Sequence, residues 1–278
     1  MDFISHAQAH GLLIRNLISD GRWHRCPTID KPRSQNGAYL FDGNTGVVKN
    51  WATMDGFARY PQKGEHAVQN FDAIRASKES ADRLEAQRHA KAAQEAARAL
   101  SEATLDHHPY LARKGFPEAL GLIRDDKLLI PVRDYKSAEI MSIQSIGDDK
   151  KFLAGGKTKG GVFILGKKYN AQKWLVEGYA TGLSLKAALD AMYVNAEVWV
   201  CFSASNLQYV AERISGVRFV FADHDASGTG QRVAEATGLR WVMSPVEGED
   251  ANDFHQRAGI WQLIMLVKTA TGVADLKK

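Results

Sequence analysis

Acidic residues that close short apolar runs are the part of this sequence best suited to chemistry. Leu175-Val176-Glu177-Gly178 puts Glu177 at the end of one run, and Phe219-Val220-Phe221-Ala222-Asp223-His224-Asp225 puts two aspartates at the end of another. Asp223 and Asp225 are two positions apart, so in an extended segment they project to the same side and offer hard oxygen ligands to one ion. Magnesium is the natural occupant, with manganese as a substitute, because it accepts one or two carboxylates and fills its shell with water and substrate phosphates. Farther on, Glu247-Gly248-Glu249-Asp250-Ala251-Asn252-Asp253 brings Asp250 and Asp253 toward the same rim, where a second ion would clamp an in-line phosphoryl displacement. The same acids also suit the first turn of a helix, where the dipole favours negative charge, and both roles stand at this point. His224 lies between two aspartates, but the alternation that aims them at an ion aims it elsewhere, so it is expected to be structural. Ser227-Gly228-Thr229-Gly230 lets a helix begin close to the aspartates and meet a phosphate, although this is also ordinary turn chemistry.

These side chains converge only if the runs carrying them lie side by side. Trp174 to Glu177, Glu197 to Phe202, Arg218 to Ala222 and Arg240 to Met243 read as short buried strands, with helical stretches at Thr181 to Met192, Asn206 to Ile214 and Thr229 to Thr237. Strand and helix in repeated alternation predict a parallel sheet with right-handed crossovers, in which ligands gather at the carboxyl ends of the strands. The expected fold class is therefore α/β, with a Rossmann-like domain over 173–278.

Upstream, 107–172 alternates turns with Leu128 to Val132, Glu139 to Ile143 and Val162 to Leu165, a mixed α/β subdomain whose loops are crowded with lysines. The stretch from Phe71 to Leu105 is rich in Ala, Glu, Gln, Lys and Arg without Gly or Pro, so 66–106 is expected to be a solvated linker helix. In 1–65 the turn pairs Asn36-Gly37 and Asp42-Gly43 flank a short alternating stretch, which predicts a small β-rich module.

Bulk properties narrow the setting. The 278 residues are 45% hydrophobic and 24% charged, with a net charge of only +4, so any surface for a polyanion must come from local clustering. No apolar run approaches the roughly 20 residues of a membrane span, and the first residues do not have the pattern of a secretion signal. No membrane association and a cytoplasmic location are expected. Cys26 and Cys201 are the only cysteines, too few for a disulfide framework.

The order of these motifs resembles the TOPRIM domain of primases, topoisomerases and some nucleases, in which Glu-Gly follows the first strand and Asp-x-Asp the third; here they are Glu177-Gly178 and Asp223-His224-Asp225. Tyr110-Leu111-Ala112-Arg113-Lys114-Gly115, Leu128 to Asp134 and Lys150-Lys151-Phe152-Leu153 resemble, in order, the basic subdomain that precedes TOPRIM in bacterial primases. Gly21-Arg22-Trp23-His24-Arg25-Cys26-Pro27 looks like the leader of primases encoded by phages and plasmids, at a position where many primases carry a zinc ribbon. His24 and Cys26 alone cannot complete a tetrahedral site, so no zinc is expected. The sequence departs from the bacterial pattern in having Thr181 and Ser184 where a further acid is usual, and Gln144 near a common arginine.

The resemblance implies a DNA primase that makes short RNA primers on single-stranded DNA by metal-dependent nucleotidyl transfer. Glu177, Asp223 and Asp225 would be catalytic, and the same three with Asp250 and Asp253 would bind metal. Arg113, Lys114, Arg133, Lys150, Lys151, Lys157 and Lys159 would meet template phosphates or nucleoside triphosphates, with Lys151 the best placed by its motif. No Gly-x-x-x-x-Gly-Lys-Ser/Thr loop occurs, so a replicative helicase or replication protein is expected as a separate partner. Trp23, Tyr39 and Trp51 are candidates for stacking on template bases, but the plainer expectation is that at least two of them form the core of the small sheet. A TOPRIM nuclease and a non-catalytic DNA-binding adaptor are the alternative readings.

Overall fold

The computed structural model describes residues 2–61, 71–166 and 169–271. The chain divides into two units, Met1–Gln87 and Arg88–Lys278.

The first unit begins with helix α1 (Phe3–Ala9) and continues into strands β1 (Trp23–Cys26), β2 (Gly37–Phe41), β3 (Gly46–Asn50) and β4 (Ala58–Tyr60). The strands form an antiparallel sheet in sequential order. Phe3 and Ala7 of α1 pack with Leu12, Cys26, Tyr39, Phe41 and Val48 against one face, and Phe3 stacks on Phe41 with ring centroids 4.3 Å apart. Burial of the Cys26 thiol pushes its pKa up to about 11, so it is an inert core residue. The expectation that at least two of the three aromatics Trp23, Tyr39 and Trp51 are core is corrected. Tyr39 is buried, whereas Trp23 is 51% and Trp51 54% exposed. Trp23 alternates with His24 and Cys26 and so falls on the face opposite the core.

Helix α2 (Phe71–Ser101) contributes its residues from Arg88 onward to the second unit. Its last three turns are not the solvated connector expected from composition. Ala92, Ala96 and Ala99 are buried, and Ala96 and Ala99 pack on Leu129 and Ile143. Alanine at helical spacing lets the helix lie close to a sheet, so an alanine stripe can be a packing face as well as a polar one. Then follow β5 (Thr104–His107), α3 (Pro109–Arg113), β6 (Leu120–Arg124), β7 (Lys127–Asp134), β8 (Ile140–Ile146), β9 (Lys150–Phe152) and β10 (Gly161–Leu165), an antiparallel array.

The remaining elements alternate as β11 (Gln172–Val176), α4 (Tyr179–Ala191), β12 (Ala196–Val200), α5 (Ala204–Ala211), β13 (Arg218–Ala222), α6 (Thr229–Ala236) and β14 (Arg240–Met243), followed by α7 (Ala251–Ala258) and α8 (Ile260–Thr271). β14, β13, β11 and β12 are parallel neighbours in that order, and β10 pairs antiparallel with β12, joining both regions in one sheet of 10 strands. Burial on both faces explains the apolar runs. Trp174, Val176, Phe219 and Phe221 face α4, α7 and α8, while Leu175, Val220 and Ala222 face α5 and α6. No helix among the described residues is long and apolar enough to cross a membrane.

The connection from β11 leads to β12 on one side, and the connection from β12 crosses to β13 on the other side of β11. A crevice opens where the strand order reverses, between the carboxyl ends of β11 and β13, and this is where ligands bind in such sheets. Glu177 follows β11 and Asp223 follows β13, so the topology alone sets them side by side.

Candidate active site

Three carboxylates occupy this crevice in different environments. Glu177 is largely removed from water, and burial followed by the nearby Asp225 charge raises its pKa. The backbone N–H of Ala204, at the start of α5, lies close enough to offset the shift in part. Its own carbonyl accepts from Phe202 N–H at 2.8 Å. Phe202 holds a left-handed φ of 68°, a strained choice for an aromatic residue and one that clusters at functional sites. Its ring lies edge-on to Phe152 at 5.7 Å, so the Lys150-Lys151-Phe152 segment abuts the loop that holds Glu177.

Asp223 is the least comfortable group. Burial, then Glu177, Asp250, Asp225 and Asp253 in decreasing order, push its pKa up to about 8. Its Oδ1 is buried with no hydrogen-bond partner. A carboxylate so placed either keeps a proton or awaits a cation. Asp225 differs: the Ser227 hydroxyl and the Gly230 N–H hold it down to about 2. Gly230 N–H donates to Oδ2 at 3.0 Å and Thr229 N–H to Oδ1 at 3.2 Å, so Asp225 satisfies the first turn of α6 while keeping lone pairs for an ion.

Asp250 and Asp253 appear in the capping role. Asp250 Oδ1 accepts from the N–H groups of Asn252 at 2.6 Å and Asp253 at 2.9 Å, and Asp253 answers to the Asp250 N–H, a reciprocal box at the start of α7. Both still stand near enough to Asp223 to raise its pKa. Glu249 is clasped by Arg257 and the Ser244 hydroxyl and held down to about 2. His224 is structural: its Nδ1 lies 2.9 Å from the Ser244 carbonyl, and its backbone bonds to Gly248 and Glu249.

Among the described residues no set of three His, Cys, Asp or Glu side chains is drawn tightly enough to cage an ion alone. That is compatible with magnesium, which takes few protein ligands and completes its shell from phosphates and water. The orphaned Asp223 Oδ1, crowded by negative charge, is the observation that fits such an ion.

The seven basic candidates separate into groups. Lys114 pairs with Asp253 at 3.4 Å, Lys150 Nζ lies 5.3 Å from the Tyr110 ring centre, and Tyr110 senses Arg113, Lys114, Asp250 and Asp253, which places these cations beside the acidic rim. Lys159 and Arg213 flank the Tyr209 ring at 4.8 and 3.8 Å in a cleft of about 440 Å³ that also includes Ser203. Lys157 acts on Asp134, Arg133 donates to the Ala138 carbonyl at 3.0 Å within its hairpin, and the exposed Lys151 pairs with Asp149 at 3.1 Å.

A network that sequence reading missed fixes the rim. Buried Asn252 donates to the Lys114 carbonyl at 2.8 Å and to Ser184 Oγ at 2.9 Å, and His255 Nδ1 lies 3.0 Å from the same Oγ. These partners are far apart in sequence and give no local signal. Asn252→Ala is expected to cost on the order of 1–3 kcal/mol, read by denaturant unfolding, because the Lys114 carbonyl and the Ser184 hydroxyl lose a donor.

With this geometry in place, comparison with known proteins gives one family: residues 173–260 match the Toprim domain. The chain carries a Toprim domain. No curated protein sequence matches. Among solved structures, the primase fragment of the bacteriophage T7 primase-helicase protein is similar at 16% identity and a TM-score of 0.43, over 60% of this chain and 77% of that one. The bacteriophage T7 lagging-strand DNA polymerase structure with primase domains of two gp4 subunits gives 15% identity and a TM-score of 0.42, over 59% of this chain and 91% of the matched one. The DnaG catalytic core gives 15% and 0.34, over 70% and 77%. The Toprim match spans the β11-to-α7 segment and includes Glu177, Asp223, Asp225, Asp250 and Asp253.

Proposed function

We propose that this chain starts short RNA primers on single-stranded DNA, joining two nucleoside triphosphates by nucleotidyl transfer at the β11–β13 crevice. The observation that carries the reading is the buried, unpartnered Oδ1 of Asp223, set among Glu177, Asp225, Asp250 and Asp253 within the Toprim domain. The basic subdomain joined to the same sheet supports synthesis over hydrolysis, since it provides cations beside the carboxylates for a template and triphosphates.

Asp223 and Asp225 would hold magnesium, with Glu177 across the crevice and Asp250 and Asp253 behind. When bound, the ion supplies charge neutralisation at the triphosphate and at the departing pyrophosphate. The protein's own groups do the rest. Glu177, poised by burial nearer to neutrality than an exposed glutamate, takes the proton from the 3′-hydroxyl of the first nucleotide. That oxygen forms its bond to the α-phosphorus of the second nucleotide as the bond from that phosphorus to the bridging oxygen breaks. Lys114 and Lys150, on the Tyr110 side, meet phosphate oxygens and orient the leaving group. The Phe202 turn, whose N–H bonds the Glu177 carbonyl, keeps Glu177 aimed.

Glu177→Gln, close in shape and unable to accept the proton, is expected to lower primer synthesis by roughly 10²–10⁴-fold with the fold unchanged. The reading is tested by following the fate of end-labelled single-stranded DNA incubated with the four ribonucleoside triphosphates and magnesium. Intact template with short RNA products supports it. Cleaved template without RNA would assign the same carboxylates to a nuclease.

A further inference from the structure

The carboxyl ends of three neighbouring strands carry different chemistry. In the order β13, β11, β12, Asp223 follows the first, Glu177 the second and the Phe202-Ser203 turn into α5 the third. Glu177 therefore has Asp223 on one flank and the start of α5 on the other, at strand spacings of about 4.8 Å. The turn is tied to it, since Phe202 N–H donates to the Glu177 carbonyl at 2.8 Å. β10 runs antiparallel to β12, so Thr158, Lys159 and Gly160, which precede it, arrive at the same rim.

The cleft of about 440 Å³ lies between the Lys159 loop and α5. Buried Asn206 fixes its walls: its Oδ1 accepts from Gly160 N–H at 2.7 Å, and its amide donates to the Gly161 and Cys201 carbonyls, each at 2.8 Å. Lys159 Nζ and the Arg213 guanidinium both lie over the Tyr209 ring, which orients the two cations. Glu212 is the one carboxylate in the lining, and it is turned to Arg213 at 3.0 Å and Gln208 at 3.2 Å. Among the described residues no carboxylate pairs with Lys159. Ser203 Oγ accepts from Asn206 N–H at 3.3 Å and lies 3.4 Å from Ser205 Oγ, and both serines are exposed, which leaves a hydroxyl proton for an entering oxygen.

Two oriented cations beside hydroxyl donors, in a cleft with rigid walls, suit the oxygens of a polyphosphate. We infer that this cleft is a second polyphosphate site, separate from the cation-held one, and that it takes the 5′-triphosphate of the initiating nucleotide. That nucleotide gives only its 3′-hydroxyl and keeps all its phosphates, whereas the incoming one loses pyrophosphate at the acidic rim. With the 3′-oxygen at Glu177, the cleft lies on the flank away from Asp223, so the two polyanions are held on opposite sides and do not face each other. Placing the attacking oxygen at Glu177 rests on the priming reading; the polyphosphate site itself does not.

The test has a binding arm and a kinetic arm. Calorimetry with inorganic tripolyphosphate on the full chain in EDTA reads the cleft without catalysis. Lys159→Ala/Arg213→Ala is expected to bind it roughly tenfold more weakly than the parent. Arg240→Ala, which removes a cation at the amino end of β14, should bind it as the parent does. In the kinetic arm, formation of the first bond on unprimed template is compared with a nucleoside triphosphate and with the corresponding monophosphate as the first nucleotide. The parent is expected to favour the triphosphate about tenfold in kcat/KM, and the double variant to bring that ratio close to one. Lys159 and Arg213 are exposed, so the variant should melt where the parent does. Unchanged tripolyphosphate affinity in the folded double variant overturns the inference. An equal loss with both first nucleotides overturns it too, and gives the cations to the template backbone. If the parent makes no primers but the double variant still loses tripolyphosphate, the polyphosphate site stands and the priming reading falls.

Discussion

Asp223→Asn is expected to raise the melting temperature of the metal-free protein at pH 8 while abolishing nucleotide incorporation. The gain follows from the position of Asp223 among four other carboxylates. Its folded pKa is pushed up to about 8, first by burial and then by Glu177, Asp250, Asp225 and Asp253, whereas in the unfolded chain it is about 3.9. The stability associated with a raised pKa is fully present below the unfolded value and is lost as pH climbs through the folded one. The parent should therefore weaken steadily between about pH 4 and pH 8 in the absence of a cation. Asparagine keeps the shape, carries no charge and removes that slope, a difference on the order of a few kcal/mol at pH 8. Magnesium should reverse the ranking by stabilising the parent and leaving the variant unchanged. Melting curves of both proteins across this pH range, with and without the ion, check each part. A flat pH profile in the parent would show that Asp223 is not under this charge.

The second large effect is expected at Gly230. A Cβ built there would lie 2.1 Å from the Asp223 carbonyl oxygen and 3.1 Å from its carbon, both backbone atoms that no side-chain rotation can move aside. Gly230→Ala must push the β13–α6 connection outward, displacing Asp223 and pulling the Gly230 N–H away from Asp225. A loss of roughly 1–3 kcal/mol from overpacking is expected, together with a fall of about 10²-fold or more in primer synthesis as the carboxylates leave their positions. Gly228→Ala is the control. That residue has a φ of 66° and a Cβ there would meet only the flexible end of Arg232, so it should cost stability through backbone strain and spare more of the activity.

Much of the Toprim region could be read from the chain because its signals are local. Apolar runs buried on both faces announced β11 to β14, and the acid after a run is in register with the strand end by construction. The pairing of β10 with β12, which fuses the two regions into one sheet, left no such trace, since an edge between antiparallel and parallel strands is set by tertiary packing and not by pattern. Asn252, Ser184 and His255 likewise meet only through the fold. Asp250 and Asp253 were ambiguous for a physical reason: a helix start and a cation site both call for carboxylates. The alanines of α2 and the tryptophans of the first sheet misled in opposite directions. Ala96 and Ala99 looked exposed because alanine is a mild residue, and they are buried. At least two of Trp23, Tyr39 and Trp51 are expected in the core from residue type, yet only Tyr39 is buried and both tryptophans are open.

The most direct measurement of the central claim is incorporation of labelled ribonucleotides on unprimed single-stranded DNA, comparing the parent with Asp223→Asn in magnesium, in manganese and in EDTA. Short template-dependent products from the parent with either ion, none in EDTA and none from the variant, are predicted. Equal synthesis by the folded variant, or none by the parent with either ion, would contradict a cation-dependent nucleotidyl-transfer site at Glu177, Asp223 and Asp225.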